Sequence, residues 1–199
     1  MIVERAQAHT LEAFVAALIL VSGLIFASQA TAVTPLSAST SNQHIENQQR
    51  SLANDLLSTT AENGTLREAV VYWNGTEGFI NSSEERTYYT GTPTDSSHPL
   101  SSALAVFDRN HLAYNVDLVY SDGEGGTERE RMVEMGSPSD NAVAATRSVV
   151  LYNATEISGG PNEGTALGDL ADGAFYADDI DPNSQVYTVV EVRIVVWRL

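Results

Sequence analysis

The chain has 199 residues, with 26 Asp and Glu against 10 basic residues, all of them arginine, and a formal net charge of -16. A surface so acidic is repelled by phosphate, which excludes nucleic acid as a partner. There is no cysteine, which excludes disulfides, thiolate metal sites, cysteine nucleophiles and lipid attachment through a thiol. Carboxylates without lysine suit a halophile: salt screens their repulsion to within about 3 Å at 1 M, and they stay hydrated where a lysine would add only flexible apolar stem.

The first predicted element is a membrane span. Residues 13–27 (AFVAALILVSGLIFA) carry no charge, with Ser22 the one polar side chain, and the run extends over residues 11–33. At about 1.5 Å of rise per residue, such a helix crosses a hydrocarbon core of about 30 Å. Arg5 precedes the span and the next basic residue after it is Arg50, so the arginine asymmetry predicts the N-terminus inside the cell and the C-terminal part outside. Four sequons agree with an outer location: Asn63-Gly-Thr, Asn74-Gly-Thr, Asn81-Ser-Ser and Asn153-Ala-Thr, each a candidate N-glycosylation site. A cleaved secretory signal is the rival reading, because Ala30-Thr31-Ala32 fits its cleavage pattern. Against it stand Glu4 beside Arg5 and Glu12 at the entrance to the apolar run, where a carboxylate in lipid costs a few kcal/mol unless partnered.

Pro35 and the small polar stretch to Asn42 (PLSASTSN) predict a neck that breaks the helix. An amphipathic helix is then predicted over residues 41–60, with Ile45, Leu52, Ala53 and Leu56 on one face, ending at Asn63-Gly64. Beyond Gly64 the period changes to two. Strands are predicted at 69–73 (AVVYW) and 86–90 (RTYYT), and a short helix at 101–107. Residues 111–120 and 127–135 flank SDGEGG and predict a hairpin whose second strand, dense in charge, lies at an edge. In that strand Arg129, Arg131 and Val133 share one face, opposite Glu128, Glu130, Met132 and Glu134. Residues 143–152 read as helix then strand, 159–181 as a long irregular connection with a helical turn near 167–170, and 185–199 as a central strand. A chain whose core strand comes last is expected to unfold when truncated there, and Glu191 and Arg193 on that strand are expected to pair with each other or with a neighbour.

The segment Arg5-Ala6-Gln7-Ala8-His9-Thr10-Leu11-Glu12-Ala13-Phe14 resembles the class III signal peptide of archaeal type IV pilin-like proteins, and the whole chain resembles a group of uncharacterised haloarchaeal pilin-like membrane proteins. The resemblance implies that a prepilin peptidase removes a short leader next to Gln7, whether before or after it. It also implies that Glu12 is the retained acid through which the helix meets other pilin-like subunits. Ala6 stands where that family usually has glycine, and Glu12 falls one position later than its common spacing. The implied architecture is α+β: a leader (1–10), a transmembrane helix (11–33) continuing through a kink into a neck and amphipathic helix (34–63), and an antiparallel β-rich extracellular domain (64–199).

Enzyme motifs are lacking: no G-x-S-x-G, P-loop, G-x-G-x-x-G or H-E-x-x-H occurs, and the four histidines are scattered. The expectation is therefore a non-enzyme without cofactor. Asp179, Asp181 and Asn183 place oxygens at alternate positions as a calcium loop begins, but Ser184 occupies the place of the turn glycine. The cluster reads as a solvated acidic turn, with calcium as the alternative. Tyr72, Trp73, Phe79, Tyr88 and Tyr89 read as core, with an exposed aromatic binding strip as the alternative.

Overall fold

The computed structural model describes residues 14–25, 34–75, 78–82, 86–93, 97–123 and 125–199. The chain divides into two units, Met1–Ile45 and Glu46–Leu199. In the first, residues 14–25 are helical (α1) and every side chain is exposed, Phe14 at 66%, Leu20 at 71% and Leu24 at 74%. Ser22 returns its hydroxyl to the Leu18 carbonyl at 2.7 Å, so even its polar atom is satisfied within the helix. Among the described residues no helix is long and apolar enough to cross a membrane. The expected span also takes in residues 11–13 and 26–33, and these lie outside the described residues, as do Ala6, Gln7 and Glu12.

Helix α2 runs from Thr34 to Glu62, which corrects the expected break between Pro35 and Asn42. Proline's fixed φ of about −65° is itself helical, so Pro35 is compatible with the helical residues that follow it. Gln49, Ala53, Leu56, Leu57 and Thr60 form the buried stripe, at the spacing of one helix face. The Thr60 hydroxyl donates to the Leu56 carbonyl at 2.8 Å. The helix stops at Asn63-Gly64, as expected, where Gly64 takes φ +86°.

Instead of the expected strand at 69–73, a second short helix follows, α3 at Thr65–Val70. Leu66, Ala69 and Val70 bury at helical spacing, and the Asn63 side-chain oxygen accepts the Thr65 N–H at 3.0 Å in an Asx turn that leads into the helix. β-branched and aromatic residues after Glu68 mimic a strand, but the buried set begins earlier and has period 3.6. Trp73 makes only an isolated bridge to Phe79. The strand expected at 86–90 is likewise reduced to Tyr89, whose backbone exchanges hydrogen bonds with Met132 and Glu134 at 2.9 and 2.8 Å. Helix α4, Ser101–Arg109, forms as expected and buries Leu104 and Phe107.

Four antiparallel strands follow: β1 Leu112–Ser121, β2 Thr127–Glu134, β3 Val143–Tyr152 and β4 Val186–Arg198. Their spatial order is β2-β1-β4-β3, which puts β4 in the centre and the charged β2 at an edge, as expected. Residues 143–152 are strand throughout, without the expected helical start, because Val143, Ala145, Val149 and Leu151 bury at period two against Val196, Ile194, Val190 and Thr188. The inward-facing position opposite Val192 is Arg147, an exposed charge on the outer strand of the kind that deters pairing with another sheet.

A bulge in β2 changes the predicted faces. Val116 pairs with Val133 but Asp117 pairs with Arg131, so Met132 is the extra residue. Beyond it the parity flips: Val133 joins the core side, and Glu134 joins Arg131, with which it forms an ion pair. Arg131 also reaches the buried Asp117 carboxylate at 3.3 Å, and Arg129 lies 3.7 Å from it. On β4 the same outer face leaves Val189, Glu191 and Arg193 exposed, with Tyr187 and Val195 half-buried and Trp197 covered; no ion pair joins Glu191 or Arg193 to another described residue. The other sheet face is the core, where Tyr114, Val116, Leu118, Val192, Ile194 and Val196 are wholly inaccessible.

The connection between β3 and β4 is irregular, as expected, with single 3-10 turns at Gly160–Asn162 and Leu167–Asp169. It nonetheless buries Ile157, Leu167, Phe175 and Ala177 on the sheet. Tyr176 stacks in the same layer, 5.1 Å from Trp73, and donates to the Val70 carbonyl at 3.0 Å.

Glu130 is half-buried by this packing. Burial holds it above the ordinary carboxylate range, against the opposing effect of a hydrogen bond from Thr87. A carboxyl whose pKa is raised by folding favours the folded state while protonated, and works against it as pH rises past the ordinary value of about 4.3. Glu130→Gln is therefore expected to raise Tm at pH 7 and to lose that advantage as pH falls toward about 4. An equal gain at both pH values would refute the burial argument.

Candidate functional site

A groove of about 780 Å³ opens where α3, the end of β3 and the approach to β4 converge. Arg67, Glu68 and Val71 form one wall, Tyr152 to Glu156 the floor and rim, and Ser184 with Gln185 the far side. The walls are held mostly by backbone. Ser158 donates from its hydroxyl to the Glu68 carbonyl at 2.6 Å and from its N–H to Val71 at 3.2 Å, tying the floor to α3. Thr155 and Tyr152 bond reciprocally: the Tyr152 N–H reaches the Thr155 hydroxyl at 2.9 Å and the Thr155 N–H reaches the Tyr152 carbonyl at 2.8 Å. Asn153 spans the groove floor, its N–H on the Gln185 carbonyl at 3.0 Å and its side-chain amide on the Ser184 carbonyl at 3.1 Å. Gly168 packs under it so closely that a Cβ would lie 3.0 Å from that of Asn153.

What remains for solvent is a set of unsatisfied planar groups. Arg67, Glu68, Glu156 and Gln185 are exposed, and their side chains make no hydrogen bond or ion pair among the described residues. Between them Tyr152 presents its ring, 45% exposed.

The residues singled out from the sequence fall elsewhere, with one exception. Asn153 lies in the groove, its sequon folded into the turn just described. Asn63 and Asn81 are exposed on turns and Asn74 is half-buried. Asp179 and Asp181 turn onto their own backbone: Asp179 accepts the Asp181 N–H at 3.0 Å, and Asp181 accepts the Asn183 N–H at 3.1 Å. Each makes an Asx turn, and no cluster of three acidic or histidine side chains suited to a metal occurs among the described residues. A smaller cavity of about 350 Å³ lies beside them, lined by Asp172, Asp178, Asp179 and Tyr187. Burial raises the Tyr187 hydroxyl, and the charges of Asp178, Asp179 and Asp172 raise it further.

Of the aromatic set, Tyr72, Trp73, Phe79 and Tyr89 are at most 9% exposed and belong to the core. Only Tyr88 is partly open, with the Arg86 guanidinium 5.9 Å above its ring. His98 packs edge-on against Tyr72 and Tyr89 and accepts the Leu100 N–H at 3.1 Å, a core histidine.

The groove escaped sequence reasoning because its walls come from positions 67, 152–158 and 184–185, with no motif joining them. The local signal was Tyr152 directly before an Asn-Ala-Thr turn, at the end of an otherwise alternating strand.

No curated protein and no solved structure matches the chain. A family match covers residues 5–196, nearly the whole sequence, and by it the chain belongs to DUF7288, a family of unknown function.

Proposed function

We infer that this chain is a structural subunit of the cell surface, similar to a minor pilin or pseudopilin, anchored by a single N-terminal helix with its β-rich domain outside the cell. The observation that carries the reading is α1. Its twelve residues are all exposed, and Phe14, Leu18, Ile19, Leu20, Val21, Leu24 and Ile25 are large and apolar. Each such side chain gains about 1.5–3 kcal/mol on leaving water. Lipid, or the like helices of neighbouring subunits, supplies that environment. Glu12 beside this helix is then the acid that meets a neighbouring subunit, and a prepilin peptidase acts next to Gln7. The order of apolar helix, polar helix and antiparallel domain fits this reading, as does the acidic, lysine-free surface of a protein that works in strong salt.

A second reading, a tethered surface module that binds without polymerising, is favoured by the groove at Tyr152. Mass spectrometry of the protein from its native membranes separates the two. A mature terminus at Gln7 or the next residue is the expected result and means prepilin-type processing. An intact leader leaves the tethered module, and a terminus near Val33 removes the anchor and with it both readings.

A further inference from the structure

The groove has the chemistry of a carbohydrate site, and we propose that it binds a neutral saccharide of pyranose units. The inference rests on the second reading insofar as it gives the outer domain a ligand, and it is independent of polymerisation.

Tyr152 is the one exposed aromatic side chain among the described residues of Glu46–Leu199, where the other large rings are buried or half-buried. Its backbone is fixed by the reciprocal bonds with Thr155, so the ring is carried on an anchored Cα at the groove, and only two side-chain torsions need to be ordered on binding. A pyranose offers the matching surface, an apolar face of C–H groups with hydroxyls around the rim. Those hydroxyls need partners that are both donors and acceptors. The Arg67 guanidinium and Gln185 amide donate, the Glu68 and Glu156 carboxylates and the Gln185 carbonyl accept, and each is planar with a two-atom edge that spans adjacent hydroxyls. Asn153, which also lines the groove, keeps its side-chain oxygen buried without a hydrogen-bond donor, so the floor itself carries an unpaired acceptor.

Charge argues for a neutral ligand. Two carboxylates face one guanidinium in the groove, and the chain carries -16 overall, so anions are repelled. In molar salt, ion-pair attraction is screened beyond about 3 Å, whereas stacking and hydrogen bonds at contact persist. The volume of about 780 Å³ holds two or three sugar rings and lies within the usual range for small-molecule sites.

The test is calorimetric titration of the full chain in lipid nanodiscs in molar potassium chloride, with maltotriose, triacetylchitotriose and trigalacturonate. Nanodiscs replace maltoside detergents, whose headgroups would compete. Binding of one of the two neutral trisaccharides is expected with Kd of about 0.1–1 mM. Tyr152→Ala is expected to weaken it at least about tenfold and Tyr152→Phe by less than about threefold, with Tm unchanged in both. Three outcomes each overturn the proposal: no binding of either neutral trisaccharide at about 10 mM, undiminished binding by Tyr152→Ala, or trigalacturonate binding as tightly as the neutral sugars. None of these bears on the mature N-terminus, so failure here leaves the anchoring result standing.

Discussion

Replacing Ile194 by alanine is expected to cost the sheet domain about 2–5 kcal/mol, a large share of the roughly 5–15 kcal/mol that holds a typical domain together. Ile194 is inaccessible to solvent and lies in register between Val116 of β1 and Ala145 of β3. Its side chain therefore touches both halves of the sheet, and truncation leaves a cavity that neither neighbour can fill without breaking its own pairing. Val189 on the same strand points to the open face and is 42% exposed, so Val189→Ala is expected to cost less than about 0.5 kcal/mol. Urea unfolding at fixed high salt measures both. Equal losses would mean that the two faces of β4 have been exchanged.

The second large effect is expected at Gly78. Its φ is +99°, and a Cβ there would lie 2.6 Å from both the Cα and the carbonyl oxygen of Thr87. Backbone cannot swing aside as the tip of a side chain can. The same approach carries the Phe79 N–H to the Thr87 carbonyl at 3.1 Å and the Asn74 N–H to Gly78 at 2.8 Å, so a displaced Thr87 also loosens Tyr89 against β2. Gly78→Ala is expected to cost about 3 kcal/mol, combining the left-handed strain with the clash. Gly123, in the hairpin turn, has a φ of +73°, but a Cβ added there would meet nothing within 4 Å. Gly123→Ala should therefore show the strain alone, about 1–2 kcal/mol. If the two substitutions cost the same, the close approach at Thr87 contributes nothing.

Elements with a single competing explanation were legible in the sequence. Alternation in 111–120, the Gly-rich turn and the β-branched run near the C-terminus fixed β1, the hairpin and the central strand, since period two with such residues has no good helical alternative. Where two periods overlap, local pattern was a poor guide. Leu66, Ala69 and Val70 belong to a helix whose last residues are also good strand formers, and Ala144 to Arg147 belong to a strand despite a helical composition, because β4 lies alongside. Pro35 and the small polar residues after it lie within the range of α2, although their composition suggested a neck. The bulge at Met132 reversed the faces of Val133 and Glu134, and no residue type announces a bulge. The groove needed the fold itself: α3 meets the end of β3 only after the strands have paired. The N-terminal apolar run and its leader-like residues were the plainest signal of all, and they remain the basis of the proposed anchoring.

The strand order also sets a timetable. A chain that emerges N-terminal end first, from a ribosome or through a translocation channel, brings out β1 and β2 together, and these close at once as a hairpin. Strand β3 then has no partner, because its only neighbour is β4, and β1 waits for that same strand. The sheet is assembled in one late step, when β4 slides between two strands already present, and contacts so distant in sequence form slowly. Until that step the hairpin is the only part of the sheet that can exist, so the last strand to appear decides when the fold is committed.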